Sequence, residues 1–102
     1  MQVFAGQTPE SYASHTRSLR LAGHATSIRL EACFWLILDE IAASQDLSTP
    51  RFLSMLYDEA LNLHGEVANF TSLLRVSCLK YMESQAKAAR AARAELAAQA
   101  AE

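Results

Sequence analysis

At Glu31 the hydrophobic period of this chain changes from two to about 3.6, with no loop between the two patterns. Upstream, Ala25, Ser27 and Arg29 alternate with Thr26, Ile28 and Leu30. Alternation puts Ile28 and Leu30 on one side of a strand and Ser27 and Arg29 on the other. Downstream, Phe34, Ile37, Leu38 and Ile41 fall at the spacing of a helix with one buried stripe, which Trp35 and Ala42 widen. A strand that feeds directly into a helix leaves few folds open. So short a strand cannot stand alone and must pair with another strand or another copy.

The rest of the chain is mainly helical. Ser18 to Leu21 reads as a second short extended piece, separated from Ala25 to Leu30 by Ala22-Gly23-His24. The first helix stops at Ser44-Gln45-Asp46. A second starts at Ser48-Thr49-Pro50, where either hydroxyl can cap it and proline suits the first turn. Phe52, Leu53, Leu56, Tyr57, Ala60 and Leu63 form its apolar face, and Gly65 marks its end. Asn69 is the expected cap of a third helix carrying Phe70, Leu73, Leu74, Ser77 and Tyr81 on one stripe. Past Met82, ten of the last twenty residues are alanine, which predicts a helical extension that frays at its end. It has no sustained heptads, so no coiled coil is expected. The expected organisation is a folded domain over 17–82. An N-terminal extension over 1–16, with an extra strand around QVFA, precedes it, and an alanine-rich tail over 83–102 follows.

One strand and two amphipathic helices bury too little alone. The expected solution is an intertwined homodimer, with two copies of the strand forming an antiparallel ribbon over interlocked helices. Its core would contain Ile28, Leu30, Phe34, Trp35, Leu38, Ile41, Leu53 and Leu56. The ribbon's other face would show Ser27 and Arg29 twice. A two-stranded ribbon fits the major groove of B-DNA, where small polar and arginine side chains read base edges.

Charge bears on that partner. The net charge of -2 and pI near 5.9 lack the usual basic footprint of a nucleic-acid-binding protein. The total, however, hides an uneven distribution. Residues 31–66 hold seven acids against Arg51, whereas no acid lies between Ser11 and Leu30, where Arg17, Arg20 and Arg29 sit. A basic ribbon segment beside an acidic helical middle suits a local polyanion contact. Arg17 and Arg20 are candidate phosphate contacts, or partners for Glu31 or Asp46.

The stretch TSIRLEACFWLILDEIAASQDLSTPRFLSMLYDEAL resembles the ribbon-helix-helix fold of bacterial repressors such as Arc, MetJ and CopG. RSLRLAGHATSIRLE, FW in the first helix and NFTSLLRV are similar to a small proteobacterial group of such proteins, generally regarded as DNA-binding regulators. The resemblance spans roughly Arg17 to Met82. It implies that Ala25, Ser27 and Arg29 contact bases and that the helix start at Ser48 and Thr49 holds a phosphate. That last role also follows from the positive end of a helix. The implied function is a dimeric, sequence-specific DNA-binding regulator of transcription, a repressor by family habit.

Other classes draw less support. His15, His24 and His64 lack metal-ligand spacing, so no metal and no cofactor are expected. There is no glycine-rich phosphate loop, paired-carboxylate constellation or nucleophile motif, and no catalysis is expected. Cys33 and Cys78 read as buried small hydrophobes, and two cysteines suit a reducing cytoplasm. The longest apolar run, Ala32 to Leu38, is far short of the roughly 20 residues of a membrane span. No secretion signal is visible. The alternatives are an interaction module that lost DNA binding, or an antitoxin-like protein whose tail from Glu83 binds a protein partner. Arg75 is expected to serve a structural ion pair.

Overall fold

Strand β1 (Ser14–Leu21) and strand β2 (His24–Glu31) form one antiparallel hairpin in the structure, a computed structural model that describes residues 8–101. The two-residue turn Ala22-Gly23 has φ of 52° and 80°. Two consecutive positive values are the mark of the tight turn whose twist matches that of the strands it joins. Gly23 adopts this backbone freely, but Ala22 has a Cβ that resists it. Ala22→Asn, which restores the usual Asn-Gly pair, is therefore expected to stabilise the fold by about 0.5–1 kcal/mol, read from urea unfolding midpoints.

The hairpin revises the expectation of an unpaired strand. Ser18 pairs with Ser27, Arg20 with Ala25, Thr16 with Arg29 and Arg17 with Ile28. The strand at Ala25 to Leu30 thus has its partner within its own chain. An expected extra strand around QVFA lies outside the described residues.

Three helices of several turns pack on the hairpin's inner face. Helix α1 (Pro9–Tyr12) is a single turn, and it precedes α2 (Ala32–Ser44), α3 (Thr49–His64) and α4 (Phe70–Ala100). Helix α2 begins where β2 ends, and its first amide, on Ala32, donates to the Ala13 carbonyl at 2.8 Å. Ser48 caps α3 by accepting from the Arg51 amide, and Gly65 ends it at φ 77°. Both boundaries are where the capping residues predict them. Asn69 precedes α4 as expected, but not as a side-chain cap. Its φ of 57° turns the backbone left-handed, and its side chain makes no capping bond. Asparagine tolerates that backbone better than most residues do.

The buried core joins Leu19, Leu21, Ile28 and Leu30 of the hairpin to Trp35, Leu38 and Ile41 of α2, Leu53 of α3, and Leu74 and Cys78 of α4. Phe34 and Leu56 are partly buried against it. All eight residues expected in a dimer core therefore belong to the core of a single chain. The third helix and the hairpin supply the apolar surface that a lone strand and two helices lack. Burial also pushes the Cys78 thiol up to about 11, in keeping with a small hydrophobe near Cys33.

Helix α4 runs well beyond this core. From Glu83 to Ala101 every residue is exposed. The Cα radius of gyration is accordingly 17.1 Å, against about 13 Å for a compact domain of this length.

Candidate nucleic-acid interface

Alternation along the two strands sorts the hairpin into two chemically different faces. Inward go Leu19, Leu21, Ile28 and Leu30. Outward go Thr16, Ser18 and Arg20 from β1, opposite Arg29, Ser27 and Ala25 from β2, all six exposed. The expected base-contact residues Ala25, Ser27 and Arg29 thus lie together on one surface. Sequence reasoning assigned Arg20 to phosphate and missed Thr16 and Ser18. Their alternation with Arg17, Leu19 and Leu21 was the available signal.

The outer face is basic and carries no acid between Thr16 and Arg29. Arg20 Nη1 donates to the Gly23 carbonyl at 3.2 Å, which holds its guanidinium at the tip. Among the described residues Arg29 has no ion-pair partner. Glu31, at the base of this face, is engaged by Arg75 of α4, whose Nη2 lies 3.1 Å from its carboxylate. Its own backbone amide is the first cause that holds the Glu31 carboxyl below the usual range, followed by Arg75. Arg75 has the structural role expected of it.

Arg17 points the other way. Its two Nη atoms donate to Asp39 of α2 at 2.8 and 3.1 Å, and its guanidinium lies 4.4 Å from the centre of the Trp35 ring. Thr49 Oγ1 donates to the same carboxylate at 2.6 Å. One carboxylate therefore ties β1, α2 and the start of α3 together. Arg17 and Thr49, both expected at phosphates, have their side-chain donors committed inside the chain. At the α3 start Pro50 has no N–H, Arg51 N–H is taken by Ser48 Oγ, and Phe52 N–H by the Ser48 carbonyl. The Thr49 amide is the backbone donor left for an anion in that turn.

Arg17, first by its hydrogen bond, holds the Asp39 carboxyl below its usual value, with Thr49 adding to the effect. A carboxyl depressed on folding contributes stability that is present above its ordinary value near 4 and lost as pH falls through the folded value. Asp39→Asn is expected to cost about 1–2 kcal/mol at pH 7, given the partial exposure of the pair. The gap to the parent should close toward pH 2. Urea titrations at a series of pH values test this, and a gap that persists at pH 2 contradicts the network.

Among the described residues, no three His, Cys, Asp or Glu side chains gather in a way that could hold a metal ion. No helix among them is long and apolar enough to cross a membrane.

Comparison with known proteins agrees with this geometry. The ribbon-helix-helix domain family matches residues 14–82. The solved structure of an uncharacterized protein from Bordetella pertussis Tohama I is similar at 47% identity with a TM-score of 0.82. The match covers 85% of this chain and 70% of that one. No functionally curated protein matches. With hairpin, helices and family match all in the same residues, the chain belongs to the ribbon-helix-helix domain family.

Proposed function

We propose that the protein is a sequence-specific DNA-binding regulator of transcription that inserts the outer face of its ribbon into the major groove. One observation carries this reading. Six exposed residues, four of them small and two of them arginine, share one ribbon face with no acid among them. Small side chains let the backbone approach base edges, and arginine donates two hydrogen bonds to guanine. Domains of this family generally bind DNA as dimers. Repression is the family's usual outcome, because a dimer seated on an operator blocks the polymerase.

The acidic middle does not oppose that contact, because it lies largely away from the ribbon on α2 and α3. Asp39 is neutralised by Arg17 and Glu31 by Arg75. Selection of binding sites from fragmented genomic DNA, at low and moderate salt, tests the proposal. Enrichment of a short repeat supports it, with affinity falling steeply as salt rises because phosphate contacts release counterions. Flat, sequence-independent binding sinks it.

A second reading, a protein-interaction module, is favoured by the exposed run of α4 from Glu83 to Ala101. A partner that copurifies with the full chain and is lost on truncation after Met82 would support it.

A further inference from the structure

We infer that the base-reading surface is assembled within a single chain, with Thr16, Ser18 and Arg20 of β1 reading DNA beside Ala25, Ser27 and Arg29 of β2. This rests on the DNA-binding reading above and adds to it the second reading strand. The expectation from the lone strand was that this second strand comes from another copy. Here β1 already occupies the place, residue opposite residue, through the full length of both strands.

Width decides between the two arrangements. Adjacent strands lie about 4.8 Å apart, so a two-stranded ribbon enters a major groove about 12 Å wide. Adding a second copy edge to edge along β2 would give four strands. Their outer axes would then be about 14 Å apart before side chains are counted. A sheet that broad does not enter the groove. The hairpin of one chain does, and in a dimer each copy then brings a complete ribbon to its own half-site.

The chemistry of β1 matches that of β2. Its outward residues are two hydroxyls and an arginine, all exposed. Its inward neighbours Leu19 and Leu21 are buried, which locks the orientation of the strand. Arg20 and Arg29 lie at opposite ends of the face, because Arg20 is opposite Ala25 and Arg29 is opposite Thr16. Four residues of strand separate these pairs, about 13 Å. At about 3.4 Å per base-pair step, the two arginines address base pairs about four steps apart.

The test is binding-site selection from a randomised DNA library with the full chain, repeated with Arg20→Ala, Arg20→Lys and Arg29→Ala. The expected result is that each arginine variant loses preference at one base pair, and that the two lost positions differ. Arg20→Ala should weaken binding to the parent's selected site by about 5- to 150-fold, the discrimination supplied by one bidentate pair. Arg20→Lys keeps the charge, so it should keep affinity for unrelated DNA while losing that base preference. Thermal melts of each variant separate a lost contact from a lost fold. If Arg29→Ala loses its position while both Arg20 variants select the parent's motif unchanged, the inference is overturned and β1 does not read. If the parent protein itself enriches no motif, the DNA-binding reading beneath the inference fails as well.

Discussion

Trp35→Ala should lower the melting midpoint by about 12 °C or more, the largest stability loss expected from any single truncation in this domain. Trp35 is 2% exposed and sits where the hairpin meets α2. Removing a buried tryptophan costs about 3–5 kcal/mol in lost burial and cavity formation. A domain of this size has about 5–15 kcal/mol in total and loses about 4–8 °C per kcal/mol. Two further contacts go with the ring. Its Nε1–H donates to the His15 carbonyl at 2.9 Å, and its face supports the Arg17 guanidinium. Trp35→Phe separates these effects, since it keeps most of the packing and deletes the donor. That variant is expected to lose about 1–2 kcal/mol. Circular dichroism melts check both, and a shift under about 5 °C for Trp35→Ala would show that the ring is not the joint between strand and helix.

Residue patterns made some of these features readable in advance and hid others. The outward set Ala25, Ser27 and Arg29 is legible because its inward neighbours Ile28 and Leu30 are plainly apolar. The ends of α3 are legible because Ser48, Pro50 and Gly65 act within a turn of where they stand. Strand β1 is harder. Its inward positions include Arg17, which breaks the apolar alternation and shortens the apparent strand to Ser18–Leu21. A charged side chain is tolerated there because Asp39 and Trp35, distant in sequence, meet it. Local periodicity does not see such a partner. The turn is Ala-Gly rather than the Asn-Gly or Asp-Gly that announces a hairpin, so the pairing of the two strands is hidden too. With that pairing unseen, burial seems to demand a second copy. The same long-range network explains why Arg17 and Thr49 look like free phosphate donors in the sequence and are committed in the fold.

Arg29→Ala should weaken binding to a selected operator by about 1–3 kcal/mol, roughly 5- to 150-fold, while leaving the fold intact. The two halves of that expectation have separate physical grounds. Arg29 is exposed on the outer face and has no ion-pair partner among the described residues. Its removal therefore leaves no buried group unsatisfied, and surface changes of this kind stay within about 0.5 kcal/mol of stability. Binding differs, because a guanidinium aimed at guanine supplies two charge-assisted hydrogen bonds where water is largely displaced. Comparison with Arg17→Ala sharpens the point. Arg17 lies on the inner face and is paired to Asp39, so its loss should lower the melting midpoint. Among molecules that remain folded, affinity should change less than in Arg29→Ala. Gel-shift titrations of both variants at one salt concentration, with melts recorded alongside, give the comparison. Unchanged operator affinity in Arg29→Ala would remove the outer ribbon face as the DNA-reading surface, whatever the stability data show.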